Sequence, residues 1–169
     1  MIVATNRPIF HLKLAQVLQG EFDIKALNLL VVFQVNCPGC FLYALPLAAR
    51  LHDQHGDRVN VLGLSTAFED FDLNTAENTR RLLESGEVVG MTKQYWQRQG
   101  ESRYGVPIRF PVAFDRREDH RGGYTFRANQ LRGTPSWILF DERSMILAQW
   151  FGHKPESEVE AILHQSLPS

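Results

Sequence analysis

The sequence predicts an α/β fold built on a mixed central sheet with helices on both faces. Three observations carry that prediction. Leu29-Leu30-Val31-Val32-Phe33 is an unbroken apolar run rich in β-branched residues, as a central strand covered on both faces requires. A helical stretch and a second strand follow it, which is the order of a parallel crossover unit. Near the end of the chain, two apolar runs flank Asp141-Glu142-Arg143-Ser144 in the pattern of an antiparallel hairpin.

The elements follow in chain order. The first strand lies within Ile24 to Val35 and leads straight into Asn36-Cys37-Pro38-Gly39-Cys40. The helix after it is expected over Phe41 to His55, with Leu42, Leu45, Ala49 and Leu51 near helical spacing and Gly56 closing it. Pro46 falls inside that helix and is expected to kink it, because proline removes a backbone donor and crowds the preceding turn. Val59 to Ser65 reads as the second strand. Asn74 or Thr75 is placed to cap a helix over Ala76 to Glu84, with Leu82 and Leu83 as its apolar contacts. Thr92 to Gln99 reads as a further short helix. Ile108 to Phe114 reads as a strand interrupted by Pro111, hence near an edge or entering late. Ser136 to Phe140 and Met145 to Trp150 form the hairpin. Pro155 then starts a last helix with Val159, Ile162, Leu163 and Leu167 on one face.

Composition narrows the function classes. At about 150 residues per domain, the 169 residues are expected to form one domain over 1–169. Hydrophobic residues at 44% and charged residues at 22% exclude a disordered chain. The net charge of -1 argues against a dedicated nucleic-acid binder, which needs a strongly basic domain. Two cysteines are too few for a disulfide-dense secreted scaffold. Met1 to Pro8 lacks the basic start and apolar core of a signal peptide, and the longest apolar run is far short of the ~20 residues that cross a bilayer. The expectation is a cytoplasmic protein without nucleic-acid or membrane partners.

The chemistry lies in Cys37-Pro38-Gly39-Cys40. A Cys-x-x-Cys is a weak signal alone, but here it ends a buried strand and opens a helix inside a crossover unit. Cys37 is expected at the N-cap, Pro38 at the first helical position, where its missing donor has no intrahelical partner, and Cys40 in the following turn. Unpaired N–H groups and the positive end of the helix dipole favour a thiolate at Cys37. Thiols in such places titrate at about 3.5–7.5 rather than about 8.5. Cys40, one turn deeper, is placed to attack a mixed disulfide on Cys37. The competing readings are a structural cysteine pair or half of a zinc site; zinc needs about four ligands and no second cysteine pair exists. No metal site and no bound cofactor are expected.

A second motif, Arg132-Gly133-Thr134-Pro135-Ser136, stands just before the hairpin. Together the two motifs resemble the thioredoxin fold, and the resemblance implies that Pro135 is cis, beside the dithiol. It also implies that the backbone of Thr134 pairs with a substrate chain like an added strand, with Pro38 and Gly39 beside it. The long interval between the motifs, carrying Phe110-Pro111-Val112-Ala113-Phe114-Asp115, is similar to the TlpA-like and peroxiredoxin-like branch. That similarity implies an insertion at about 66–123. The activity implied is thiol–disulfide exchange with protein or small-molecule disulfides, a reductase or thiol pool supplying electrons.

Three positions depart from the thioredoxin pattern. Asn36 stands where a Trp commonly precedes the first cysteine, Val31 where a buried Asp often relays protons, and Pro46 one residue later than the usual helix proline. The enzymatic rival is a thiol peroxidase, which needs Pro-x-x-x-Thr/Ser-x-x-Cys; the positions before Cys37 are Gln34 and Leu30, and those before Cys40 are Cys37 and Phe33. The rival outside enzymology is a redox-sensing binding module. Phe68, Phe71, Tyr95, Trp96 and Trp137 are candidates for a peptide-binding surface, with core packing the commoner fate of aromatics. Glu69-Asp70-Phe71-Asp72 reads as a solvated acidic turn, because it lacks the spacing of a calcium loop. Lys93 to Arg132 carries nine basic and four acidic residues, which would draw an acidic partner if the segment bordered the dithiol.

Overall fold

A computed structural model describes residues 7–168 of the chain. The elements are β1 (Leu14–Gln19), β2 (Leu27–Phe33), α1 (Leu45–His55), β3 (Asn60–Ser65), α2 (Ala76–Ser85), α3 (Gly90–Arg98), β4 (Val112–Asp115), α4 (Tyr124–Ala128), β5 (Ser136–Asp141), β6 (Ile146–Phe151) and α5 (Glu156–Ser166). Six strands form one sheet in the order β1-β4-β3-β2-β5-β6. The pairs β2–β3 and β3–β4 are parallel; β2–β5, β5–β6 and β1–β4 are antiparallel. The mixed α/β architecture expected from the sequence is the one observed.

All seven residues of β2 are buried, because the strand is central and both its faces are covered. Alternate side chains reach opposite faces. Leu29, Val31 and Phe33 enter one core with Leu45, Leu47, Ala48 and Leu51 of α1, Leu82 of α2, and Val159 and Leu163 of α5. Leu30 and Val32 enter the other with Leu62, Leu64, Phe126 of α4 and Phe10, whose ring stacks on Phe140 at 4.1 Å. Thr75 caps α2 by accepting the Asn78 N–H.

Four features differ from the expectations. The edge strand β1 has no counterpart among them: its residues are mostly exposed or half-buried, so no core-facing pattern marks them. The strand expected from Ile108 begins only at Val112, after Pro111, and β1 covers its outer edge. Gln19 at the end of β1 then serves the carbonyls that precede the strand, donating to Ile108 O at 2.8 Å and Phe110 O at 2.9 Å. Pro155 stands at the N-cap of α5 instead of opening its first turn. Most of the segment read for a signal peptide, residues 1–6, lies outside the described residues.

Pro46 is the fourth difference. The chain turns helical at Pro38, makes a wide π turn over Cys40–Ala44, and enters α1 at Leu45. Pro46 thereby sits in the first turn of α1, where a missing donor is tolerated. The Leu45 N–H bonds to Cys40 O, five residues back, which relieves the crowding a proline causes in a regular helix. In that wide register the Phe41 carbonyl faces Pro46, which has no N–H. The Tyr104 hydroxyl donates to Phe41 O at 2.9 Å and fills the gap. Burial holds that phenol well above its ordinary titration range, so it stays a donor.

Candidate active site

β2 ends at Phe33 and the chain leaves the sheet through Gln34, Val35 and Asn36, all buried. Cys37 follows at the start of the helix, with Pro38 and Gly39 in its first turn. Cys37 is half-buried and Cys40 has no exposed surface. The two form a disulfide with their Cα atoms 5.4 Å apart. The Cys40 N–H points back at the first cysteine, 3.0 Å from its carbonyl and 3.3 Å from its Sγ. A helix-start amide and the dipole behind it thus face the sulfur that would carry negative charge on reduction.

Opposite stands the loop before β5. Thr134–Pro135 is a cis peptide, and Thr134 O lies 3.6 Å from Cys37 Sγ. Ser136 Oγ donates to Gly133 O at 2.7 Å, and the Gly152 N–H donates to Pro135 O at 2.8 Å, which fix the loop from both ends. A Cβ on Gly133 would meet the outer edge of the exposed Phe151 ring, which would have to swing aside. All six residues singled out from the sequence, Cys37, Pro38, Gly39, Cys40, Thr134 and Pro135, therefore lie on a helix start and a loop that meet at the Cys37 sulfur.

A buried polar network beneath these loops has no counterpart in the sequence-based expectations. Gln34, 1% exposed, donates to Thr134 Oγ1 at 3.3 Å and accepts from Phe68 N and Asn74 Nδ2, both at 3.1 Å. The Asn36 N–H donates to Asn74 Oδ1 at 2.9 Å, and its side chain donates to Asp70 Oδ2 and accepts the Met91 N–H at 2.7 Å. Asn36 is thus a buried junction in the place where the thioredoxin pattern has an aromatic. Thr92 Oγ1 accepts the Cys37 N–H at 3.0 Å and donates to Val35 O at 2.8 Å. The one available signal is Gln34 itself, a polar residue inside an apolar strand run.

Other candidates are placed differently. Asp70 is more than a solvated turn residue, since it holds Asn36. Trp137 is core, stacked on Trp150 at 5.8 Å, and Phe68 stacks on Phe126 at 4.3 Å. Trp96 meets Phe41 and Tyr104 edge-on, Tyr95 tilts against Trp96, and Arg117 lies over Phe71 at 4.2 Å. Within the basic segment, Arg127 pairs with Glu118 and Arg103 donates to Ser85 O. Among the described residues, no group of three or more His, Cys, Asp or Glu side chains is arranged to hold a metal ion, and no helix is long and apolar enough to cross a membrane.

A cysteine pair at a helix start, facing the Thr134–Pro135 loop on a mixed sheet, defines a thioredoxin-like thiol:disulfide oxidoreductase. The chain has the fold and the cysteine site of thioredoxin-like proteins. It is similar to the crystal structure of a thiol-disulfide isomerase from Corynebacterium glutamicum, with 27% identity, TM-score 0.75, and coverage of 97% of this chain and 98% of that one. A thioredoxin-like superfamily protein matches with 27% identity, TM-score 0.72 and 94% of each chain. The solution structure of a thioredoxin-like protein in its oxidised form shares the fold at 17% identity and TM-score 0.63, over 96% of this chain and 99% of that one. No protein-family model and no curated protein matches the sequence.

Proposed function

We propose that the protein works as a disulfide reductase, with Cys37 as the nucleophile and Cys40 as the resolving thiol. The observation that carries the division of labour is the difference in exposure: Cys37 reaches the surface and Cys40 is fully buried. The Cys37 thiolate attacks one sulfur of a substrate disulfide, forming a mixed disulfide and releasing the other sulfur as a thiolate that takes a proton. Cys40, losing its proton, then attacks Cys37 Sγ; the Cys37–Cys40 disulfide forms and the second substrate thiol leaves reduced. Thr134 and Pro135 supply the edge against which the substrate backbone lies, with Pro38 and Gly39 bordering the sulfur. Substrates are disulfide-bearing proteins or small molecules, and a reductase or thiol pool returns the electrons. In a reducing cytoplasm the forward direction is reduction.

The roles are tested by two substitutions in an insulin-type reduction assay. Cys37→Ser is expected to abolish turnover, and Cys40→Ser to stop after one step and accumulate mixed disulfide. Full turnover by either variant overturns the assignment. The direction is tested by titrating the couple against glutathione. A potential near the thioredoxin value of about -270 mV supports a reductase, and one near about -120 mV overturns it in favour of an oxidant.

A further inference from the structure

Helix α3 belongs to the segment between the two motifs, and its start is built into the cysteine loop. Thr92, in the first turn of α3, is completely buried. Its hydroxyl has one proton, committed to Val35 O at 2.8 Å, so the lone pair on the other side receives the Cys37 N–H at 3.0 Å. One oxygen therefore ties together the backbone on both sides of Asn36. The tie is reciprocal: Val89, the N-cap of α3, has no capping side-chain bond, and Asn36 Oδ1 accepts the Met91 N–H in its place. Gly90 makes that approach possible. Its φ is +55°, and any Cβ there would strike the Asn36 side chain and Leu73.

We propose that Thr92 is a positioning residue for Cys37, its hydroxyl holding the loop so that the Cys37 sulfur stays in front of the Cys40 amide. Cys37 Sγ is 3.3 Å from the Cys40 nitrogen, and hydrogen bonding of that kind favours a thiolate only while the distance holds. Without the Thr92 oxygen, the Cys37 N–H and Val35 C=O lose their buried partner. The loop then relaxes toward other acceptors, and the sulfur moves off the helix start. α3 thereby acts on the chemistry from outside the Cys-x-x-Cys helix, through the peptide group of the nucleophile.

The inference rests on Cys37 being the nucleophile, and its test is independent of turnover. In the full chain, Thr92→Val removes the hydroxyl at nearly constant shape, and Thr92→Ser keeps it. The thiolate of the reduced protein is titrated by ultraviolet absorbance and by its rate of alkylation against pH. Thr92→Val is expected to raise the Cys37 titration point by about one unit, a roughly tenfold loss of thiolate at pH values below it, and to make the couple more reducing. Thr92→Ser is expected to restore both. A Thr92→Val protein with lowered melting temperature but wild-type titration and potential overturns the proposal, because that is what a merely structural threonine gives. If Thr92→Val does not fold, Thr92→Ala is titrated in the same way: a raised Cys37 titration point supports the proposal, and a wild-type one overturns it. Absence of disulfide turnover in the wild type would defeat the proposed function and leave these readings intact.

Discussion

Asp115 illustrates how one buried side chain is held and what it costs. It ends β4 with 1% exposure, and its carboxylate accepts from Thr66 Oγ1 at 2.8 Å, Thr125 N at 2.9 Å and Phe126 N at 3.1 Å. The two amides open α4, so the carboxylate serves that helix as a cap donated from the sheet. Burial raises its titration point above the ordinary carboxylate value, and the hydrogen bonds only partly oppose that rise. The folded state therefore binds the proton more tightly than the unfolded state does. The contribution from this shift is fully present below the unfolded value of about 3.9 and is lost as pH rises through the higher folded value. Asp115→Asn carries no titrating group at this position. The stability of the native protein relative to Asp115→Asn, from urea midpoints, is expected to shrink as pH rises from 4 toward neutral, taking ~pH 4 as the unfolded reference. A gap that widens with pH would mean the bonds outweigh burial and would reverse the assignment.

At the scale of elements, the π turn shows a local fault in the helix being repaired at a distance. Pro46 forces a wide turn just after Cys40, and Tyr104, far along the chain, supplies the donor that the Phe41 carbonyl lacks. Tyr104→Phe keeps the ring contacts with Phe41 and Trp96 but orphans that buried carbonyl, which is expected to cost about 1–3 kcal/mol. Urea unfolding measures it; an unchanged midpoint would mean another donor reaches Phe41. Such repairs explain what the sequence discloses and what it hides. β2 and the β5–β6 hairpin are legible because burial dictates their composition. The dithiol and the Gly133-Thr134-Pro135 loop are legible because their residue types at their positions serve little else. β1 is hidden because an edge strand with exposed side chains has no imposed pattern. The contacts of Gln34 and Thr92 are hidden for a different reason: their partners lie 34 to 100 residues away, and no periodicity registers a contact of that span.

For the molecule as a whole, the redox state of two sulfurs and the stability of the fold are linked quantities. Folding and oxidation form a closed cycle, so the stability gap between oxidised and reduced protein equals the difference in redox free energy between the folded and unfolded dithiol. For a two-electron couple, about 30 mV of that difference corresponds to about 1.4 kcal/mol. An oxidant owes its potential to a reduced form that the fold stabilises, so its disulfide form is the less stable of the two. A reductase has the opposite balance. Here the cysteine loop is braced by Gln34, Asn36 and Thr92 with the disulfide closed. The reductase direction proposed above requires the disulfide form to be the more stable of the two in this frame. The oxidised protein is therefore expected to unfold at a higher urea concentration than the reduced protein, with both transitions followed by tryptophan fluorescence. A reduced form that outlasts the oxidised one would rule out the reductase direction while leaving disulfide exchange itself in place. In that case the Cys37 thiolate, held by the Cys40 amide, would set which redox state the fold prefers.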